Sequence, residues 1–390
     1  MKKILFLTND GILEPLGYSQ IISYLIKLSK NYSITIISLE KVIDLNDFEN
    51  YEYIKKKLDE NNISWKFLKY NYGIFKYLNF IKLLLYTIFI ILKNNIKIVH
   101  TRSYIPALIV LFIKLVIKIE YIFDMRGFWI DERIDWKIWN KKSLKYIFFK
   151  YFEKKIINKS LSIVSLTNHA VIELKLKYLN SNSNIKTYVI PTSVNITTQN
   201  IKKNKNKNII LSHLGAIGTR YNFETYLKIY KSLSKNENYF LSIINKNEHN
   251  KITYFLNKYN IGEKNYTIKY IKPYEVKKSL LNVDFGVFFP VEGKYLKAYF
   301  PTKLGEFLSS GIPVITNKIN DDVDSIIHDN NVGIIIDDIN NINYDKLNKD
   351  LINMLKDKNL NYRCTNVAKK YFDLDKAVNI YKKVYDDCFI

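Results

Sequence analysis

The chain has 390 residues, too many for one ordinary domain and suited to two of roughly 100–200 residues each. With 47% hydrophobic residues and no long low-complexity tract it has material for two cores, which excludes a disordered or fibrous protein. A formal net charge of +23 attracts anions, so nucleic acid, an acidic membrane surface and nucleotide-sugar phosphates all stay open, although a genome-wide codon bias would account for part of the excess.

Met1 to Asp10 has a basic head and only four apolar residues before polar ones, too few for a signal peptide, and reads as a first buried strand. Strands are predicted at Lys3 to Thr8, Ser33 to Leu39, Trp65 to Tyr70, Ile96 to Thr101, Tyr121 to Met125, Leu161 to Leu166 and Thr187 to Ile190, with helical stretches between most of them. Such alternation predicts a parallel sheet covered by helices. After the first strand, Gly11 and Gly17 are too far apart for a dinucleotide fingerprint, which argues against a hydride-transfer cofactor. A glycine at a helix start still lets a phosphate or sugar approach the backbone, with Ser19 nearby, and an ordinary turn glycine is the alternative.

The apolar run Tyr77 to Leu92 is shorter than a span needs and carries Lys82, so it is expected to be buried against the sheet or, alternatively, to lie in a lipid interface with its lysines outward. Ile105 to Ile119 reads the same way, interrupted by Lys114 and Lys118. Phe123 to Arg133 (FDMRGFWIDER) sets charged side chains beside Phe128 and Trp129 and reads as a cleft wall, with a surface loop of local ion pairs as the alternative.

Past Pro191 the pattern is lost through Thr198 and the run Lys202 to Lys207, which marks a domain boundary. It restarts at Asn208, with further strands at Tyr239 to Ile244, Tyr266 to Tyr270, Asp284 to Phe289, Pro313 to Thr316 and Val332 to Ile336. His213 to Arg220 ends the first of these strands; Gly215 and Arg220 could meet a diphosphate, or form a plain glycine turn. The most informative segment is Pro301 to Ile315. It places Lys303 and Glu306 on the first turns of a short helix between two strands, where unpaired N–H groups attract phosphate and a carboxylate accepts from ribose hydroxyls. A helix capped by Thr302 with Glu306 solvated is the alternative. Cys364 and Cys388 lack metal-ligand spacing, and the histidines are scattered, so no metal site or histidine-based nucleophile is expected.

Taken together, Gly11 to Gln20, His100 to Ala107, Phe123 to Arg133, Ser165 to Thr167, Ile190 to Ser193 and Pro301 to Ile315 resemble the large retaining GT-B glycosyltransferase family four, in its bacterial polysaccharide and lipopolysaccharide branch. The resemblance implies an α/β protein with two Rossmann-like domains facing across a cleft. Residues 1–195 would be the acceptor domain, 208–370 the donor nucleotide-sugar domain, and 371–390 a helix crossing back onto the first. It implies metal-independent, hexosyltransferase-like transfer from a nucleoside-diphosphate sugar to a glycan or lipid-linked acceptor, without a cofactor and without nucleic acid. The leaving diphosphate would take the acceptor proton. Asp124, Arg126 and Lys303 are then the candidate catalytic groups; Gly17, Ser19, His213, Gly215, Arg220, Thr302, Lys303, Leu304 and Glu306 the donor contacts; Trp129, Asp131 and Glu132 the acceptor contacts. Glu306 matches the later of the family's two glutamates, Ala298 stands where the earlier is usual, and Arg126 stands where a histidine often follows the fifth strand. A cytoplasmic location follows, with an anionic membrane surface as a further expected partner. The rival readings are a nucleotide-sugar epimerase on the same architecture and a basic non-catalytic binding protein.

Overall fold

The run Lys-Lys-Ile-Leu-Phe-Leu-Thr is apolar from Ile4 on without alternation, as a strand covered on both faces requires, and forms β1 (Lys2–Thr8) at the middle of a parallel sheet. The computed structural model describes residues 1–179, 183–196 and 208–389; the lysine–asparagine run expected at the boundary lies outside them. The chain divides into two compact units, Met1–Pro191 with Lys297–Tyr299 and Leu374–Ile390, and Thr192–Leu296 with Phe300–Asp373.

In the first unit β2 (Tyr32–Glu40), β3 (Ser64–Lys69), β4 (Ile98–Arg102), β5 (Glu120–Asp124), β6 (Ser162–Ser165) and β7 (Lys186–Val189) join β1 in a seven-stranded sheet of order β3-β2-β1-β4-β5-β6-β7. Register pairs Thr8 with Arg102 and Arg102 with Asp124, so β1, β4 and β5 end level at their carboxyl edge. In the second unit β8 (Ile209–Leu214), β9 (Tyr239–Ile244), β10 (Tyr266–Lys269), β11 (Phe285–Val287), β12 (Val314–Asn317) and β13 (Gly333–Ile336) form a six-stranded sheet of order β10-β9-β8-β11-β12-β13. Every pairing is parallel. Both orders have the switch of direction beside the first strand at which open α/β sheets bind ligands.

The apolar helix Leu78–Asn94, preceded by a 3₁₀ turn Gly73–Tyr77, departs from the burial expected for it. Only the side carrying Leu83, Thr87, Ile90 and Ile91 is buried, because a helix laid on one face of a sheet covers one stripe of itself; Ile81, Leu85, Phe89 and Leu92 are exposed. The run is long and apolar enough to cross a membrane by composition. The next helix, Tyr104–Ile113, is buried nearly throughout, while Leu115 and Val116 just beyond it are exposed.

The C-terminal helix Leu374–Asp387 belongs to the first unit and contributes an aromatic edge to its core. Tyr385 is fully buried, meets Tyr32 edge-on at 5.0 Å and places its hydroxyl 2.8 Å from His100 Nδ1; Tyr381 donates to Asp124 Oδ2 at 2.9 Å. Tyr385→Ala is expected to destabilise the protein by about 3–5 kcal/mol and Tyr385→Phe by about 1–2 kcal/mol, the first removing a packed ring and the second one buried hydrogen bond. Urea unfolding of both variants measures this, and equal losses would show that the ring contributes nothing beyond its hydroxyl.

Candidate functional site

In the second unit the site grows from the carboxyl ends of β8, β11 and β12. The helix Thr302–Ser309 starts at Pro301, whose fixed φ suits a helix start but which offers no capping oxygen; Thr302 is the first helical residue and not the cap. Leu304 is fully buried and its N–H bonds Pro301 O at 3.1 Å. The helix is pinned where side chains are missing. A Cβ on Gly305 would come within 2.5 Å of Phe372, and one on Gly286 of β11 within 2.3 Å of Phe307. Lys303 is consequently held inward, 8% exposed.

Among the described residues, Lys303 Nζ has no hydrogen-bond partner at normal geometry and sits over the ring of Tyr221, 3.6 Å from its centroid. Burial holds its pKa below the usual lysine range, with Tyr221, Glu306 and Glu248 opposing that shift. Glu306, one turn on, keeps some accessible surface yet is densely surrounded by protein, and desolvation pushes its carboxyl up to about 7 against the pull of Lys303. Gly215 adopts φ +97°, open to glycine, and a Cβ there would lie 3.7 Å from Lys303 Nζ. His213 is buried, with Nδ1 3.2 Å from Val287 O and Nε2 3.1 Å from Ala216 O. Burial and then the Lys303 charge lower its pKa to about 3, so the ring is neutral and only one of those carbonyls receives a proton. By its contact with Ala216 O it braces the loop after β8. Arg220 is exposed at the far end of that loop, where its carbonyl accepts from Val291 N–H.

Sequence reasoning missed Asn245 and Glu248. Asn245 Nδ2 donates to Gly215 O at 3.0 Å, and Glu248 Oε2 accepts from Ile217 N–H at 2.8 Å, so the segment after β9 builds the glycine loop after β8. The signal was an Asn three residues before a Glu at the start of the helix His249–Lys258, where Asn245 Oδ1 also accepts from Glu248 N–H. Tyr221, which holds Lys303, carried no signal beyond its type.

In the first unit Asp124 and Arg126 stand at the end of β5, with Gln20 beside Arg126. Asp124 is 1% exposed and its Oδ2 meets His100 Nε2 at 3.3 Å and the Tyr381 hydroxyl. Its carboxyl stays below the usual range because Arg126, His100 and Arg102 outweigh its desolvation. At Gly17 a Cβ would lie 2.0 Å from Ile12 O, so its missing side chain makes room for the chain's own backbone. That turn is held by Glu40, which accepts from the N–H groups of Ile12 and Leu13 and which burial pushes up to about 7. Ser19 lies in a π-helical turn, Tyr18–Ile22, with its Oγ buried and unpartnered among the described residues. Trp129 is half-buried in an aromatic cluster with Tyr104, Trp139 and Phe149; Asp131 pairs with Lys150 at 2.9 Å; Glu132 Oε1 lies 3.3 Å from where a Gly127 Cβ would be. Ala298 is fully buried in the first unit's core, next to Lys297, whose carbonyl accepts from Thr167 Oγ1 at 2.6 Å.

Residues 195–371 match the family model described as glycosyl transferases group 1. No curated protein sequence matches the chain. Among solved structures it is similar to sucrose-phosphate synthase from Thermosynechococcus elongatus, with TM-score 0.73, 11% identity and coverage of 100% of this chain and 99% of that one. It is also similar to HepE of Anabaena in complex with UDP and glucose, with TM-score 0.70, 10% identity and coverage of 99% and 100%. For TarM of S. aureus, in complex with Fondaparinux, alpha-GlcNAc-glycerol and UDP, the values are 0.65, 12%, 99% and 100%. The fold is the GT-B architecture of these solved structures, and the match over residues 195–371 supports glycosyltransferase activity. The matched stretch takes in most of the second unit together with Lys297–Tyr299 of the first.

The raised pKa of Glu306 gives a signed prediction. A carboxyl at about 7 in the folded state against an ordinary value of 4.5 favours the fold most below pH 4.5, and that contribution is lost as pH rises to about 7. Glu306→Gln does not titrate, so its melting temperature relative to wild type is expected to rise from pH 5 to pH 8. Comparison with wild type cancels Glu40, which titrates in the same window. Thermal unfolding at the two pH values checks it, and a pH-independent difference would refute the shifted carboxyl.

Proposed function

We propose that this glycosyltransferase moves a sugar, with retention and without a metal, from a nucleoside-diphosphate sugar to a glycan or lipid-linked acceptor in bacterial cell-surface polysaccharide synthesis. The observation that carries the reading is Lys303, a buried cation without an acid at ion-pair distance, on the first turn of an uncapped helix at the carboxyl ends of the second sheet. A departing diphosphate would supply the missing negative charge, and the free N–H groups of that helix turn would add to the attraction. Glu306, ionised above about pH 7, is one turn away for ribose hydroxyls. The solved structures of HepE and TarM contain UDP, which fits a uridine nucleotide as the first donor to try. Arg126, with Asp124 beside it, is proposed as the first unit's contribution to the reaction. Trp129, Asp131 and Glu132 are proposed for the acceptor.

Lys303→Ala is expected to lower turnover about 10²–10³-fold while leaving the melting temperature unchanged or slightly raised, since it removes preorganised positive charge together with an unpaired buried cation. Nucleoside-diphosphate release from a panel of donor sugars measures the first and thermal unfolding the second. A fully active variant would remove Lys303 from the mechanism.

We also infer attachment to an anionic membrane through the outer stripe of the helix Leu78–Asn94. Ile81, Leu85, Phe89 and Leu92 are exposed there and Ile74 and Phe75 in the 3₁₀ turn before it, and Lys76 and Lys93 lie over the rings of Tyr77 and Phe89 at 5.3 and 5.6 Å. Apolar side chains bordered by lysines suit the boundary between acyl chains and anionic headgroups. The protein is expected to sediment with vesicles containing phosphatidylglycerol and not with phosphatidylcholine alone, and Leu85→Asp with Phe89→Asp is expected to abolish sedimentation. Recovery of wild type in the supernatant at low salt with anionic vesicles would reject the attachment.

A further inference from the structure

We propose that the first unit carries its own anion site between Arg102 and Arg126, which takes the carboxylate or phosphate of a charged sugar substrate. That the anion belongs to a substrate rests on the transferase reading; the site itself rests on the first unit alone.

Two guanidinium groups converge at the level carboxyl ends of β4 and β5 with one buried carboxylate between them. Their side chains are 9% and 11% exposed, and each comes only to 3.9 Å of Asp124, beyond hydrogen-bond reach. Asp124 Oδ2 is already engaged by His100 and Tyr381, and Oδ1 has no hydrogen-bond partner among the described residues. Arg102 donates from Nη1 to Gln20 O at 3.3 Å, and Arg126 from Nη2 to Gln20 Oε1 at 3.2 Å, with the Tyr381 hydroxyl as a further polar neighbour. A guanidinium has five N–H donors, so most of those in this cluster are unused. Among the described residues, burial keeps His100 uncharged and the hydroxyls of Tyr381 and Tyr385 protonated, and the acid besides Asp124 that acts most on Arg102 is the exposed Asp10. The cluster therefore has one buried positive charge in excess.

The backbone around it is strained in the way binding sites are. Ser103 and Arg126, neither a glycine, hold φ of +72° and +57° at the ends of adjacent strands. Ser103 N–H is fixed to Asp124 O at 2.8 Å, which ties the two turns together. The π-helical turn Tyr18–Ile22 brings Gln20 to both arginines and leaves Ser19 Oγ buried and, among the described residues, unpartnered. A planar fork beside a second cation suits a carboxylate or phosphate, which can accept two parallel hydrogen bonds, better than a neutral hydroxyl.

The test is calorimetric titration of the full chain with sodium D-glucuronate, inorganic phosphate and neutral D-glucose, on wild type, Arg126→Gln, Arg126→Lys and Lys303→Ala. At least one anion is expected to bind wild type while glucose does not, and to bind at least tenfold more weakly to both Arg126 variants; Lys303→Ala and prior saturation with UDP are expected to leave it unchanged. Tighter binding of glucuronate identifies a carboxylated sugar as the source, tighter binding of phosphate a phosphorylated one. Silence of both anions on wild type, binding that survives Arg126→Gln within twofold, binding lost in Lys303→Ala, or equal binding of glucose would each overturn the proposal. Should the variants fail to fold, phenylglyoxal modification of Arg126 in wild type, mapped by mass spectrometry, is expected to be slowed at least fivefold by the bound anion and unaffected by glucose; equal rates would overturn it. UDP binding in the same series scores the transferase reading separately.

Discussion

A cation removed from water without an acid against it costs several kcal/mol, and both units hold such cations at the carboxyl ends of their central strands. In the second unit it is Lys303, cushioned by the ring of Tyr221; in the first it is the excess of Arg102 and Arg126 over Asp124. The surrounding structure is intelligible as what keeps these charges in place. Phe307 and Phe372 fill the spaces of Gly286 and Gly305 and fix the helix that carries Lys303, and the C-terminal helix delivers Tyr381 and Tyr385 to the base of the arginine cluster.

The neighbouring acids and histidines have adjusted to this field. His213 stays neutral because it is buried and because Lys303 repels a second proton. Glu306 is pushed up to about 7 because burial outweighs its attraction to Lys303. A site in this condition gains free energy when an anion arrives, which is how preorganised positive charge assists a reaction whose leaving group is a diphosphate. The same arrangement lowers the stability of the empty protein, a common trade at functional sites.

Much of the fold was legible because parallel strands buried on both faces read as largely apolar runs; Ile-Ile-Leu-Ser-His-Leu and Tyr-Phe-Leu-Ser-Ile-Ile are of this kind, and strand edges moved by only a residue or two. The placement of Lys303 and Glu306 on the first turns of a helix between β11 and β12 was legible because a strand, a short helix and a strand fix which end of the sheet that helix starts from. Other features were hidden for physical reasons. The exposed stripe of Leu78–Asn94 could not be told from a buried one because the helix is apolar on nearly all sides. The support of the glycine loop by Asn245 and Glu248 is a tertiary contact between segments some 30 residues apart in sequence. The positive φ of Ser103 and Arg126 contradicts the local preference of both residue types, and the surrounding fold alone enforces it.

Calorimetric titration with a panel of nucleoside diphosphates and their sugars, on wild type, Glu306→Ala and Lys303→Ala, tests the central claim most directly. The account predicts that one nucleotide family binds wild type, that its affinity falls at least tenfold in both variants, and that the loss in Lys303→Ala is greater for the diphosphates than for the matching nucleosides. Silence across the panel, or equal affinity in all three proteins, would contradict a nucleotide-sugar site in the second unit.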